Sequence, residues 1–229
     1  MSLRLLPGLL FMLLAVQGVA APDEAELERW LESDDPLPPS ASTADVNEGE
    51  LVFLARPPVK PVHHHSQRLI LDTRSRQTGW VRMDQCHENL DRVPATQIVF
   101  RPGRIRELEI TQVRGIERAW VEGDTVQLEN VGRDARLCLR GRSRALTPLG
   151  DGGWRLVNGP YMRRFLDGFY PMRVTVVIEY GEARLRPVRI RPAAQPGFTV
   201  EQTPGRIRLE AWFEGRLQTE IRFVDAGSP

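Results

Sequence analysis

Lysine is almost missing from this chain: Lys60 is the only one, so 30 of the 31 basic residues are arginine. Arginine binds carboxylates and phosphates bidentately. A bias spread over all 229 residues, however, is the mark of a GC-rich genome before it is the mark of a site. Cysteine is nearly as scarce. Cys86 and Cys138 are the only two, and no CxxC pair exists to carry thiol redox chemistry or a cysteine-rich zinc cluster. Catalytic and cofactor motifs are absent too, since Ser66 and Ser143 sit in no elbow that would make either a nucleophile. The longest apolar run, residues 5–16, is too short for a comfortable bilayer span.

What the chain does hold is a polarised charge. Residues 22–50 carry ten acids and one arginine (Arg29), a net of −9. Residues 51–229 carry 29 basic and 20 acidic side chains, a net of +9. An acidic arm thus precedes a basic body, which either receives that arm or stays free for an anionic partner. Residues 1–20 read as a secretory signal peptide, with Arg4 as the positive end, 5–16 as the apolar core and Gly18-Val19-Ala20 as the cleavage site. No cysteine follows to take a lipid anchor. The expectation is export to a bacterial periplasm, with no transmembrane span in the mature chain and no nucleic-acid partner. In that oxidising compartment Cys86 and Cys138 pair. The chain-entropy argument sets the gain from such a bridge at ~4 kcal/mol or less.

Residues 21–49 read as an acidic arm, with a turn or two of amphipathic helix around Leu27, Trp30 and Leu31 and then a proline- and serine-rich linker. From residue 50 onward short apolar stretches recur about every ten residues, separated by Gly, Pro, Asn or Asp, as in a sandwich or barrel. One piece of the body is helix-like, residues 160–167, opened by Pro160 and closed by Gly168. A Gly123-Asp124 turn would pair Val121 with Val126 and Ala119 with Leu128, placing four apolar residues on one face. A three-residue Glu214-Gly215-Arg216 loop would likewise pair Phe213 with Leu217 and Leu209 with Ile221. PGRIR occurs at 102–106 and 204–208, with AWVEG at 119–123 and AWFEG at 211–215. These matches suggest two similar β modules, 50–147 and 148–229, unless the second half simply continues one sandwich.

Three sets of residues carry candidate chemistry. Both cysteines alternate with apolar neighbours, so they fall on the polar face of their strands, where the bridge would bring Asp84 close to Arg136 or Arg140 and steady the segment 87–91. His63 and His65 project to one side of an extended chain, and with His87 they form a candidate Zn²⁺ or Cu²⁺ site. Glu88 and Asp91, clustered with Asp84, are the carboxylates a hydrolase would use. Trp120 and Trp212 fall on the outward faces of their hairpins, and Tyr161, Phe165, Arg163 and Arg164 gather around the helix-like piece. Both groups suit docking of a protein or glycan.

The reading that follows is an all-β, mainly antiparallel β-sandwich with a short N-terminal helical arm and one disulfide. Its expected function is non-catalytic binding of an envelope protein or glycan through a sheet face rich in Arg and Trp, with no cofactor. The alternatives are a periplasmic Zn- or Cu-binding protein using His63, His65 and His87, and an envelope hydrolase using Glu88 and Asp91.

Overall fold

Alternation of apolar and polar side chains builds strands almost throughout. The computed structural model describes residues 47–165 and 168–227. The signal-like segment, the helical turn of the arm, and all but the last three residues of that arm lie outside the described residues. The first strands are β1 (Val52–Phe53), β2 (His64–Ile70), β3 (Val81–Glu88), β4 (Ala95–Val99), β5 (Ile105–Glu122) and β6 (Thr125–Ser143). They are followed by β7 (Leu146–Pro148), β8 (Trp154–Tyr161), β9 (Arg164–Phe165), β10 (Gly168–Phe169) and β11 (Met172–Glu179). β12 (Leu185–Arg191), β13 (Phe198–Thr203), β14 (Arg206–Glu214) and β15 (Leu217–Asp225) complete the set.

The larger sheet runs β14–β11–β2–β3–β6, with β1 and β13 on the far side of β14. Along β6, strand β5 covers one side. On the other side β3 pairs with residues 136–143 and β4 with residues 125–129. The smaller sheet runs β12–β15–β8–β7. Every named pair is antiparallel except β2 with β11. The inner faces meet in one core, where Leu69, Val176 and Leu209 of the larger sheet join Leu156, Ile221 and Phe223 of the smaller. Burying each such side chain stabilises the fold by roughly 1.5–3 kcal/mol. A second core of Val126, Leu128, Leu137 and Leu139 lies along β6, beside Ile98 of β4 and Ile116 of β5. The fold is therefore all-β and sandwich-like, with a single bridge, Cys86–Cys138.

The first hairpin has the register read from its sequence: Val121 pairs with Val126 and Ala119 with Leu128. Its strands are longer than the separate pieces suggest, because register shifts at Arg106/Glu109, Ile110/Gln112 and Arg114/Ile116 carry β5 past its polar stretches. The second expected hairpin does not form. β14 pairs with β11 in the larger sheet and β15 with β8 and β12 in the smaller, so residues 214–216 turn the chain from one sheet to the other. Both strands still bury the residues read as inward, Ile207, Leu209 and Phe213 on one and Leu217, Ile221 and Phe223 on the other. Alternation fixes which side chains are buried and leaves open which strand they pair with. Gly215 makes the corner at φ 83°, and a Cβ there would meet the Glu50 carbonyl oxygen at 1.8 Å. The two PGRIR copies each open a strand, but AWVEG ends in a hairpin and AWFEG at this corner.

The described part of the helix expected at 160–167 is not helical: Pro160 and Tyr161 close β8, and Arg164 and Phe165 form β9, while residues 166 and 167 lie outside the described residues. The described α-helix, α1 (Thr73–Thr78), lies where no apolar period marks one. Its signals are caps. Asp72 Oδ1 accepts from the Ser75 amide at 2.8 Å, Ser75 Oγ accepts from the Asp72 amide at 3.2 Å, and Gly79 closes the helix in the left-handed region.

Candidate ligand-binding cleft

On the inner face of β2 the in-phase residues run Leu71, Leu69, Gln67, His65, His63, and all five are buried. On β3 they run Val81, Met83, Gln85, His87, again all buried. The antiparallel register sets Leu69 against Met83, Gln67 against Gln85 and His65 against His87. One buried face therefore changes from apolar to polar along its length, and the polar half needs partners.

It supplies most of them itself. Gln67 Oε1 accepts from Asn158 Nδ2 and from the Tyr161 hydroxyl, both at 2.6 Å, so the two sheets are joined at one oxygen. Gln67 Nε2 donates to Gln85 Oε1 at 3.3 Å, and Gln85 Nε2 lies 2.7 Å from His87 Nε2. His87 Nδ1 lies 2.9 Å from His63 Nε2. Since Gln85 donates, neutral His87 carries its proton on Nδ1 and passes a hydrogen bond to His63 Nε2. His65 sets its ring edge-on to Tyr161 and to His87, at 4.9 and 4.7 Å between centroids, and its buried Nε2 has no hydrogen-bond partner.

Burial keeps these imidazoles uncharged. It pushes His63 down to about 4, opposed by a nearby Asp91 and helped by Arg163. It pushes His65 down to about 3, helped by His63 and His64, and holds His87 well below the ordinary histidine range. The same burial raises the Tyr161 phenol well above its ordinary value. The network is polar and neutral.

This floor lies in a cleft of about 1030 Å³. β4 and the turn after it, with Phe100, Arg101 and Arg104, form one wall. β8 and Met162 form another, and Arg144, Ala145 and Thr147 line the cleft as well. Five exposed arginines line it, Arg101, Arg104, Arg144, Arg155 and Arg164, against one carboxylate, Glu220. Among the described residues none of the five ion-pairs with an acid. Arginines elsewhere do: Arg68 holds Glu179 at 2.7 Å, Arg136 holds Glu88 at 2.5 Å and Arg173 holds Glu210 at 2.6 Å.

The structure brings His63, His65 and His87 together, as their spacing suggests, but as part of a hydrogen-bonded network. Among the described residues no group of three or more His, Cys, Asp or Glu side chains is placed to hold a metal ion. Cys86 and Cys138 stand directly opposite each other on β3 and β6 and are bonded. Nearby Arg140 holds Asp84 at 3.4 Å, the ion pair their positions imply. His87 and Glu88 belong to β3 rather than to a loop. Both candidate hydrolase carboxylates are engaged by arginine, Glu88 by Arg136 and Asp91 by Arg163 at 2.5 and 2.9 Å.

The aromatic set is divided. Tyr161 sits on the cleft floor. Phe165 lies beside Arg163, which is occupied by Asp91 and the Pro171 carbonyl. Arg164 stacks on Phe169. Trp120 and Trp212 are half-buried, under Arg118 and Arg173 respectively, and neither lines the cleft. Of the cleft residues, Arg164 and Tyr161 are candidates from the sequence beside the three histidines; Gln67, Gln85, Asn158, Arg101, Arg104, Arg144 and Arg155 are not. The available signal was phase: Gln67 and Gln85 continue the same alternation that buries Leu69 and Met83. No family model and no curated protein matches the chain.

Proposed function

We propose that this is an exported, non-catalytic binding protein that seats an anionic ligand in the cleft between its two sheets. The observation that carries the reading is the arginine set around the cleft: five guanidinium groups, one carboxylate, and no ion pair among them. Such a surface concentrates anions and supplies bidentate donors to carboxylate or phosphate. Clefts of this size, with an apolar wall and a few convergent polar groups, are the usual form of a small-molecule site. Non-catalytic binding is favoured because Glu88 and Asp91 are held by arginines and both ring nitrogens of His87 are hydrogen-bonded. Export is supported by the apolar N-terminal segment and by a disulfide of the kind that persists in oxidising compartments. Arginine-based recognition of an envelope component is kept from the sequence reading, with its seat moved from the tryptophan faces to the cleft.

The test is binding of anilinonaphthalene sulfonate, an anionic fluorophore, to two charge-matched variants. Arg101→Glu/Arg104→Glu/Arg144→Glu reverses the cleft. Arg186→Glu/Arg189→Glu/Arg191→Glu reverses exposed arginines of β12, which do not line it. The cleft variant should bind about tenfold or more weakly, roughly 1.4 kcal/mol, and the β12 variant like the parent. Equal losses in both would reduce the effect to net charge and overturn the reading.

A further inference from the structure

The cleft walls carry a second chemistry beside the arginines. The sequence has five methionines, and apart from Met1 and Met12 they are Met83, Met162 and Met172. All three line this cleft. Methionine is unbranched and polarizable, and it adapts to a ligand that itself takes many shapes. Val99 and Met162 belong to the same walls at 63% and 36% exposure, with half-buried Ile98 and Phe100 next to Val99. Exposed apolar side chains beside a concave site mark a place that is covered in use. Along β4 the apolar pair Ile98 and Val99 leads directly to Phe100 and then to Arg101, so apolar wall and unpaired cation are neighbours in the chain.

A small soluble anion has no use for that wall. A sugar or a nucleobase would stack on flat exposed aromatic faces, whereas the Phe and Tyr of this cleft are half-buried Phe100 and buried Tyr161, and no tryptophan lines it. The floor beneath satisfies its own hydrogen bonds, leaving His65 Nε2 as its buried atom without a partner. It therefore offers a ligand one hydrogen bond and no charge. The features left for recognition are a cluster of guanidinium groups and an adaptable apolar wall.

We propose that the ligand of the cleft is an anionic amphiphile, a carboxylate or phosphate headgroup on a flexible acyl chain. The headgroup lies against Arg101, Arg104 and Arg144; Arg104 Nη1 donates to the Arg144 carbonyl and the Arg104 amide to the Arg101 carbonyl, each at 3.0 Å. The chain lies along Val99, Phe100 and Met162, the exposed and half-buried apolar members of the walls. This rests on the anion-binding reading above and adds the chain to it.

The experiment measures binding by the full mature protein, stripped of lipid, below the micellar concentration of each probe. Palmitate and lysophosphatidate supply the two headgroup sources on a long chain. Butyrate and glycerol phosphate are the same headgroups without it, and lysophosphatidylcholine is a long chain with no net charge. At least one long-chain anion should bind with a stoichiometry of one, tenfold or more tighter than its short counterpart. Val99→Asn/Met162→Gln, neutral changes at two exposed positions, should weaken the long-chain anion tenfold or more and leave its short counterpart unchanged. Short anions binding as tightly as long ones would overturn the acyl chain and leave the anion cleft standing. Lysophosphatidylcholine equal to lysophosphatidate, with no loss in the Arg101/Arg104/Arg144 reversal, would overturn the anion reading. Binding of none of the probes would overturn both.

Discussion

The two faces of β2 and β3 use the same kinds of residue in opposite ways. On the outer face polar groups are charged and paired: Arg68 with Glu179, Asp84 with Arg140 and Glu88 with Arg136. On the inner face, one residue along, they are neutral and buried: His63, Gln67, Gln85 and His87 are joined by hydrogen bonds, and His65 packs edge-on between Tyr161 and His87. Water screens the outer set and makes each pair cheap to hold and cheap to lose. No water screens the inner set, so charge is excluded and each amide or imidazole depends on a particular neighbour. Polar residues in a strand thus divide by phase into a replaceable set and an irreplaceable one.

Acid should separate the two faces most strongly. His63 and His65 bind protons near 6.5 in the unfolded chain but only near 4 and 3 in the folded one. Between those values the unfolded state holds more protons, so stability falls as pH drops below about 6.5. At about 1.4 kcal/mol per pH unit, the shift of His63 alone represents on the order of 3 kcal/mol by the time pH reaches about 4. The outer-face carboxylate Glu179 is also shifted down, chiefly by the Arg68 hydrogen bond, but its contribution is lost only as pH falls below about 4.5. Thermal unfolding should show the melting temperature dropping from about pH 6.5 downward, well before carboxylates titrate. His65→Phe keeps an aromatic ring beside Tyr161 and removes one of the titrating groups, so its profile should be flatter. A parent profile level down to about pH 4.5 would show that the inner histidines are solvated, and the contrast between faces would fail.

Within the inner face the expected loss is concentrated at Gln67. Gln67→Met keeps the volume but removes the acceptor of Asn158 and Tyr161 and the donor to Gln85. Three buried polar groups are then left short, at ~1–3 kcal/mol each before relaxation. Urea unfolding should show a loss of about 3 kcal/mol. Tyr161→Phe removes one donor and leaves Gln67 Oε1 still bonded to Asn158, so about 1 kcal/mol is expected. A smaller loss for Gln67→Met than for Tyr161→Phe would place the hub elsewhere.

Much of this architecture was legible from alternation alone. The β class, most strand positions, the first hairpin's register and the common side of the two cysteines follow from which residues share a face, although Cys138 is buried rather than exposed. His63 and His65 share a face because i, i+2 spacing holds whatever the strand pairs with, and the β2–β3 register brings His87 to them. Their setting was misread through treating polarity as a sign of exposure. Gln67 and Gln85 stand in phase with Leu69 and Met83, and phase determines the face. Asn158 and Tyr161 reach Gln67 from 91 and 94 residues away on the opposite sheet, a contact no local pattern carries. Tyr161 was drawn into a helix by Pro160 and Gly168, which fit a helix's ends but here border strand. The corner at Gly215 was read as a hairpin because sheet-to-sheet turns and hairpins bury the same alternating residues.

The smallest effect belongs to the outer face, and it tests the comparison from the other side. Arg68 makes two bonds to Glu179, at 2.9 and 2.7 Å, geometry as good as any on the inner face. Its side chain is 52% exposed and that of Glu179 33%. Exposed pairs of this kind contribute ~0–1 kcal/mol, because water replaces the lost partner on each side. Arg68→Ala should therefore cost under about 1 kcal/mol in low salt and less at high salt, where the pair is screened. A double-mutant cycle with Glu179→Gln isolates the pair from the packing of the arginine stem on its neighbours. A coupling of about 2 kcal/mol or more, unchanged by salt, would mean that this face is as shielded as the cleft floor. Hydrogen-bond length would then rank these interactions better than phase does, and the division between the two faces would have to be redrawn.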